Sequence, residues 1–150
     1  MGRGRPGLDI NDLISTTSRA HEQWGYCQAG TSAILTEDNT ALIGSPGPFT
    51  WRGTVFALSI EDDFLFRDKT HYHTAVTEDS APVDKYSYFG MSVASGDFLT
   101  SQQSCGQRLS YAGGAPRAGG GTGKVLLFVK CGSAEIMRVQ KVLALSLIHI

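Results

Sequence analysis

The chain has 150 residues, 41% of them hydrophobic, enough for one ordinary domain with its own core. Thirteen basic against fourteen acidic residues leave a net charge of -1, so no field favours nucleic acid or an anionic membrane. Eighteen glycines with five prolines exceed ordinary usage and favour short strands joined by tight turns, an all-β chain.

Residues 1–20 are polar and aperiodic and read as an irregular N-terminal remnant, with no apolar stretch behind the arginines to make a signal peptide. No segment reaches the length of a membrane span. Thr31–Thr36 and Ala41–Ser45 flank the turn residues Glu37, Asp38, Asn39 and Thr40, which predicts a hairpin. A third strand, Gly53–Ile60, follows the breaker Pro46-Gly47-Pro48. Residues 61–87 are charged, rich in His, Tyr and Thr, and aperiodic, so they are expected to form an exposed insertion loop of functional use. Strands are predicted again at Phe89–Ala94, Arg108–Ala112 and Lys124–Lys130.

The two halves repeat. Gly44-Ser45-Pro46 is followed after six residues by Gly53-Thr54-Val55, and Gly114-Ala115-Pro116 is followed after six by Gly123-Lys124-Val125. Upstream of each stands an aromatic and a glycine, Trp24-Gly25 and Phe89-Gly90, at offsets of 65 to 70 residues. Each unit supplies a strand ending in a glycine-proline corner and a second strand that opens on glycine.

The aromatic-Gly and Gly-x-Pro pair resembles the FG-GAP repeat of integrin alpha subunits. Residues Tyr88–Phe98 and Leu109–Arg117 carry the likeness, and His21–Thr31 and Gly47–Val55 resemble the preceding blade. The Gly114-Ala115-Pro116-Arg117 form and the long insertion are most like the laminin-binding and invertebrate branch. The resemblance implies an all-β fold: two four-stranded antiparallel blades of a seven-bladed propeller, with residues 21–60 a partial blade and 88–143 a second blade and the start of the next. It implies a non-enzymatic receptor subunit on the extracellular side of the cell membrane, paired with a beta subunit and adhering to a matrix protein such as laminin. Calcium-binding loops belong to later blades in the family; the stretch Ser95-Gly96-Asp97-Phe98 lacks the oxygen ligands that calcium needs, so no metal is expected here. The resemblance also implies an upstream disulfide partner for Cys27, and no cysteine precedes it. A transmembrane helix is expected beyond the C-terminal end. Leu145–Ile150 reads as the translation of a sequencing adapter and is expected to be a non-native tail.

Rival motifs are weaker. Ala118–Val125 resembles a phosphate-binding loop, but its first glycine is Ala118, the position for a magnesium-binding hydroxyl is Val125, and a β-rich run follows instead of a helix. Gly90-Met91-Ser92-Val93-Ala94 approaches a nucleophile elbow and fails at its last position. His71 and His73, with Asp68 and Glu78, could ligate zinc, yet solvated loop histidines are the commoner explanation. Glu61 and Asp63 form an acidic pair on the loop. Cys105 and Cys131 bracket two strands that an antiparallel hairpin would bring together, so an extracellular disulfide is expected between them.

The sequence thus points to binding without chemistry. Phe49, Trp51 and Arg52, as aromatic and arginine anchors, would face a matrix ligand, with Glu61, Asp63, Arg67, His71 and Tyr72 of the insertion beside them. Trp51 serves equally well as a buried wedge between blades. A different FG-GAP-like propeller, lectin or enzyme, is the alternative, and a nucleotide binder the third. Two blades without neighbours leave apolar faces uncovered, so residues 20–143 alone are expected to be marginally stable or to aggregate.

Overall fold

The structure, a computed structural model, describes residues 22–61, 72–76, 82–132 and 136–144. Two four-stranded antiparallel meanders follow one another along the chain. Sheet 1 contains β1 (Ser32–Leu35), β2 (Thr40–Ser45), β3 (Thr54–Ser59) and β4 (Tyr72–Thr74). Sheet 2 contains β5 (Ser92–Gly96), β6 (Ser110–Ala115), β7 (Lys124–Val129) and β8 (Arg138–Ala144). Each is the form of one propeller blade.

The glycine-proline corners occupy the same place in both sheets. Gly44 pairs with Ser32 and Val55, and Gly114 pairs with Ser92 and Val125. Pro46 and Pro116 follow the last residues of β2 and β6 directly. This is where a residue without an N–H donor ends a strand at no loss to the ladder. Gly53 (φ +83°) and Gly123 (φ +87°) precede β3 and β7 in left-handed conformations suited to glycine.

The upstream equivalence differs from the one read in the sequence. Gly30 (φ +97°) and Gly90 (φ +95°) are the matching residues. Their N–H groups donate to the Gly44 and Gly114 carbonyls, each at 3.0 Å. Ala29-Gly30, not Trp24-Gly25, therefore stands where Phe89-Gly90 stands in sheet 2. The offset is 60 residues from Ser32 to Ser92 but 70 from Gly44 to Gly114. The difference of ten lies between Ser92 and Gly114, in a longer connection from β5 to β6 and one more residue in β5 than in β1.

Strand alternation puts Leu42, Val55 and Ala57 of sheet 1 in one core with Tyr111, Leu126 and Phe128 of sheet 2, joined by Phe89 from the segment ahead of β5. Two sequence expectations need correction. Residues 61–87 are not wholly an exposed insertion: Tyr72–Thr74 pair with β3, and Ala75, Val76 and Val83 are buried in the shared core. These few apolar residues recross the sheet between charged neighbours, too briefly to show a period. Val76 is fastened through Thr54, whose hydroxyl accepts from the Val76 N–H at 3.2 Å and donates to its carbonyl at 3.1 Å. Likewise Arg138–Ala144 does not open a further blade but completes sheet 2 beside β7. Cys105 and Cys131 are joined by a disulfide, their Cα atoms 5.5 Å apart. Residues 1–20 and 145–150 lie outside the described residues.

Candidate interaction face

The antiparallel order gathers the turns 46–53 and 116–123 and the lead-in segments 26–31 and 86–91 at one end of the sheets, here the corner end. The two turns share a backbone design. Trp51 N–H donates to the Gly47 carbonyl and Gly121 N–H to the Arg117 carbonyl, at 2.9 and 3.2 Å. Gly53 N–H donates to the Pro48 carbonyl and Gly123 N–H to the Ala118 carbonyl, at 3.0 and 2.9 Å. In the second turn Gly119, Gly120 and Gly121 take φ values of +64°, +72° and +100°. In the first, the helical turn Pro48–Trp51, the corresponding Phe49, Thr50 and Trp51 take +57°, +57° and +59°. Three consecutive side-chain-bearing residues in the left-handed region store strain of about 1–2 kcal/mol each, of the kind that collects at functional positions. The glycine run of the phosphate-loop lookalike is thus a left-handed turn, and Lys124 opens β7 rather than a helix.

The strained turn presents Trp51 across the junction of the sheets. Its ring stacks on Tyr26 (5.6 Å, 17°) and leans on Tyr88 (5.3 Å, 50°). The Arg117 guanidinium sits 5.0 Å above the Tyr88 ring and donates to its hydroxyl at 3.1 Å. The Tyr88 N–H donates to the Trp51 carbonyl at 2.9 Å, and the Tyr86 N–H to the Thr50 carbonyl at 3.1 Å. Tyr26, Trp51, Tyr88 and Arg117 form a row of amphipathic groups across both blades. Such rings suit recognition because they carry large area with little rotamer entropy. Tyr26, Tyr88 and Arg117 were not picked out from the sequence as binding residues; alignment on Gly30 and Gly90 matches Tyr26 with Tyr86 and Tyr88 with Gln28, so the repeat carries no signal for this row.

The other predicted ligand residues scatter. Phe49 is only 6% exposed and packs on Trp24 at 5.1 Å, so it does not offer its ring to a ligand. Arg52 is half-buried, and its Nε donates to the Val83 carbonyl at 3.0 Å, which secures the returning segment. Glu61 lies at the opposite end of sheet 1, where it accepts from Asn39 Nδ2 at 2.8 Å. The six residues of β3 separate it from Trp51 by roughly 20 Å. Tyr72 packs edge-on against Phe56 at 5.4 Å on the outer face of the sheet. Asp63, Arg67 and His71 lie outside the described residues, as do the zinc candidates Asp68 and Glu78. The structure therefore does not bring the loop acids beside Trp51, because β3 carries the chain away before the insertion begins. Among the described residues no group of three His, Cys, Asp or Glu side chains could hold a metal ion. Cys27 carries a free thiol 3.2 Å from Ser45 Oγ.

A polar node ties the blades at the other end. Tyr111, buried in β6, donates its hydroxyl to Asp38 Oδ2 at 3.1 Å. Burial pushes Tyr111 up to about 12. For Asp38 burial works upward too, but hydrogen bonds from Thr36, Tyr111 and Thr40, with Lys130 nearby, hold its carboxyl below the ordinary value. The neighbouring Arg108–Glu37 pair is solvent-exposed and adds little.

No family model matches this chain. Rat integrin alpha-7 is 36% identical over 106 residues, 67% of this chain and 9% of its own length. Chicken integrin alpha-6 is 32% identical over 117 residues, 73% of this chain and 10% of its own length. Chicken integrin alpha-V is 34% identical over 132 residues, 83% of this chain and 12% of its own length. The chain belongs to the integrin alpha family. It spans about a tenth of the length of the curated relatives it matches. In this integrin alpha chain, the aromatic-glycine and glycine-proline motifs are two halves of one joint, since Phe89-Gly90 of the second blade rests on Gly44 and Gly53 of the first. Among its described residues no helix is long and apolar enough to cross a membrane.

Proposed function

We propose that this chain is part of an adhesion receptor subunit, and that the row Tyr26, Trp51, Tyr88 and Arg117 is its share of a ligand-facing surface. One observation carries the assignment of the surface: three strained left-handed residues hold Trp51 against rings from both blades. In the sister turn glycines serve the same backbone without a side chain. Strain kept at one of two otherwise equivalent turns calls for a use of the side chain it presents.

The receptor built on it would act at the cell surface as a heterodimer with an integrin beta subunit, bind an extracellular matrix protein such as laminin, and be anchored through a transmembrane helix elsewhere in the subunit. Calcium would belong to other blades. A binding role without catalysis fits the family and the chemistry of the row, which recognises by aromatic area and a guanidinium. Glu61 and Tyr72 are left out of this surface by their position.

The test is a full-length subunit carrying Trp51→Phe or Arg117→Ala, expressed on cells with a beta subunit. Surface levels of the heterodimer are expected to hold while adhesion to laminin falls severalfold. Undiminished adhesion at normal surface level, over the matrix proteins assayed, would refute the ligand-facing role.

A further inference from the structure

Three arginines of this chain are put to three uses. Arg52 Nε donates to the Val83 carbonyl at 3.0 Å, so it serves the backbone, and Arg108 meets the Glu37 carboxylate in an exposed ion pair. Arg117 is exposed too, yet it is held by a ring instead of by an anion. Its guanidinium lies 5.0 Å over Tyr88 and donates from Nη1 to the Tyr88 hydroxyl at 3.1 Å. A ring face and a phenol orient a guanidinium without cancelling its charge.

The mounting is firm on every side. The Arg117 N–H donates to the Ser87 carbonyl, and the Arg117 carbonyl accepts from the Gly121 N–H, each at 3.2 Å. Tyr88, left-handed at φ +59°, donates its own N–H to the Trp51 carbonyl at 2.9 Å. The rotamer freedom that a long side chain gives up on binding is therefore already restricted here before any partner arrives. What remains at the solvent edge is a planar fork of N–H donors, fixed in direction. A carboxylate fits that fork with two parallel hydrogen bonds, whereas a basic side chain is repelled. Beside it the Trp51 and Tyr26 rings, stacked at 5.6 Å, continue the row from Tyr88 as apolar area.

We propose that this row reads an acidic residue next to an apolar one in laminin: the carboxylate sits bidentately on Arg117, and the neighbouring aromatic or aliphatic side chain covers Trp51 and Tyr26. The proposal rests on the ligand-facing role of the row and adds the chemistry of what is bound. Recognition belongs to the guanidinium and not to positive charge alone, so lysine is a poor substitute for Arg117.

The test is a charge swap with the full-length subunit on cells, paired with a beta subunit, and recombinant laminin in which surface Asp and Glu residues are changed to Lys one at a time. Arg117→Lys should lower adhesion to unmodified laminin about tenfold, and Arg117→Glu should lower it further than Arg117→Ala does. One laminin variant is expected to lose adhesion of wild-type cells and to regain it on Arg117→Glu cells. Flow cytometry of the heterodimer confirms that each variant reaches the surface. If Trp51→Phe and Arg117→Ala leave adhesion unchanged, the ligand-facing role falls and this proposal with it. If both lower adhesion, but Arg117→Glu is no worse than Arg117→Ala and rescues no laminin variant, the row faces the ligand without reading a carboxylate, and the proposal alone is overturned.

Discussion

Exchange of residues between the two equivalent corner turns measures the strain in the first. Gly120 is exposed at φ +72°, and a Cβ there would meet nothing within 4 Å. Gly120→Thr therefore introduces no collision, only a β-branched residue in the left-handed region, at about 1–2 kcal/mol. The stiffer unfolded chain returns about 0.5–1 kcal/mol, leaving a net loss of about 1 kcal/mol. The reverse change, Thr50→Gly at φ +57°, relieves the same conformational energy. It gives back the entropy term and up to about 0.8 kcal/mol of methyl burial, so the outcome lies between a loss of about 0.8 and a gain of about 1.5 kcal/mol. The hydrogen bond from the Tyr86 N–H to the residue-50 carbonyl, 3.1 Å, is kept by either residue. Urea unfolding of the oxidised chain, at concentrations where it is monomeric, reads both; a change of 1 kcal/mol moves Tm by about 2–4 °C at this size. The reasoning fails if Thr50→Gly destabilises by more than about 1 kcal/mol while Gly120→Thr is silent.

Three further outcomes follow from the joint, the disulfide and the polar node. Gly44→Ala drives a methyl to 2.0 Å from the Gly90 carbonyl oxygen and should lower stability by about 2 kcal/mol or more in the same urea assay. Cys105→Ser with Cys131→Ser opens a loop with a separation of 26 residues and should reduce stability by about 3.5 kcal/mol on the chain-entropy account, as compared by unfolding of oxidised wild type. The depressed Asp38 adds stability above its ordinary value of 3.8 and loses it as pH falls through the lower folded value. Tyr111 works the other way: its contribution is whole below 10.0 and fades as pH rises toward about 12. The alkaline loss is on the order of 2 kcal/mol, and Tyr111→Phe should remove it from the pH profile of Tm.

The corners were legible in the sequence because only proline and glycine meet their backbone demands, so residue type at fixed spacing names the geometry. The upstream match was misread for the same physical reason. Ala29 lacks the ring that marks this position in sheet 2, and Trp24-Gly25 imitates the motif while the Trp24 ring lies on Phe49 and Phe56 instead. β4 has three residues and β8 presents five exposed ones in seven; edge strands with so little burial have no period to detect. Left-handed Phe49, Thr50 and Trp51 carry no signal of their own, since these residue types disfavour that conformation. Only the glycines 70 positions later, once aligned through β2 and β6, disclose it.

The same comparison separates what the repeat needs from what one copy of it adds. Gly44 and Gly53 cannot bear side chains because a neighbouring backbone occupies the space, so glycine there follows from assembly of the blades alone. At positions 49 to 51 the backbone would be served best by glycine, as positions 119 to 121 show, and yet three large or branched residues stand there. Folding gives no reason to prefer them, since their left-handed conformation opposes stability by several kcal/mol in sum. Their rings return part of that: Phe49 joins Trp24, and Trp51 joins Tyr26 and Tyr88 across the blade boundary. Phe49 is spent inside the protein, but Trp51 remains half-exposed against Tyr88, whose ring Arg117 covers. Tyr26, Tyr86 and Tyr88 at the corner end share the left-handed conformation with Trp51, so whatever a partner touches there, it meets a set of rings held out at conformational expense.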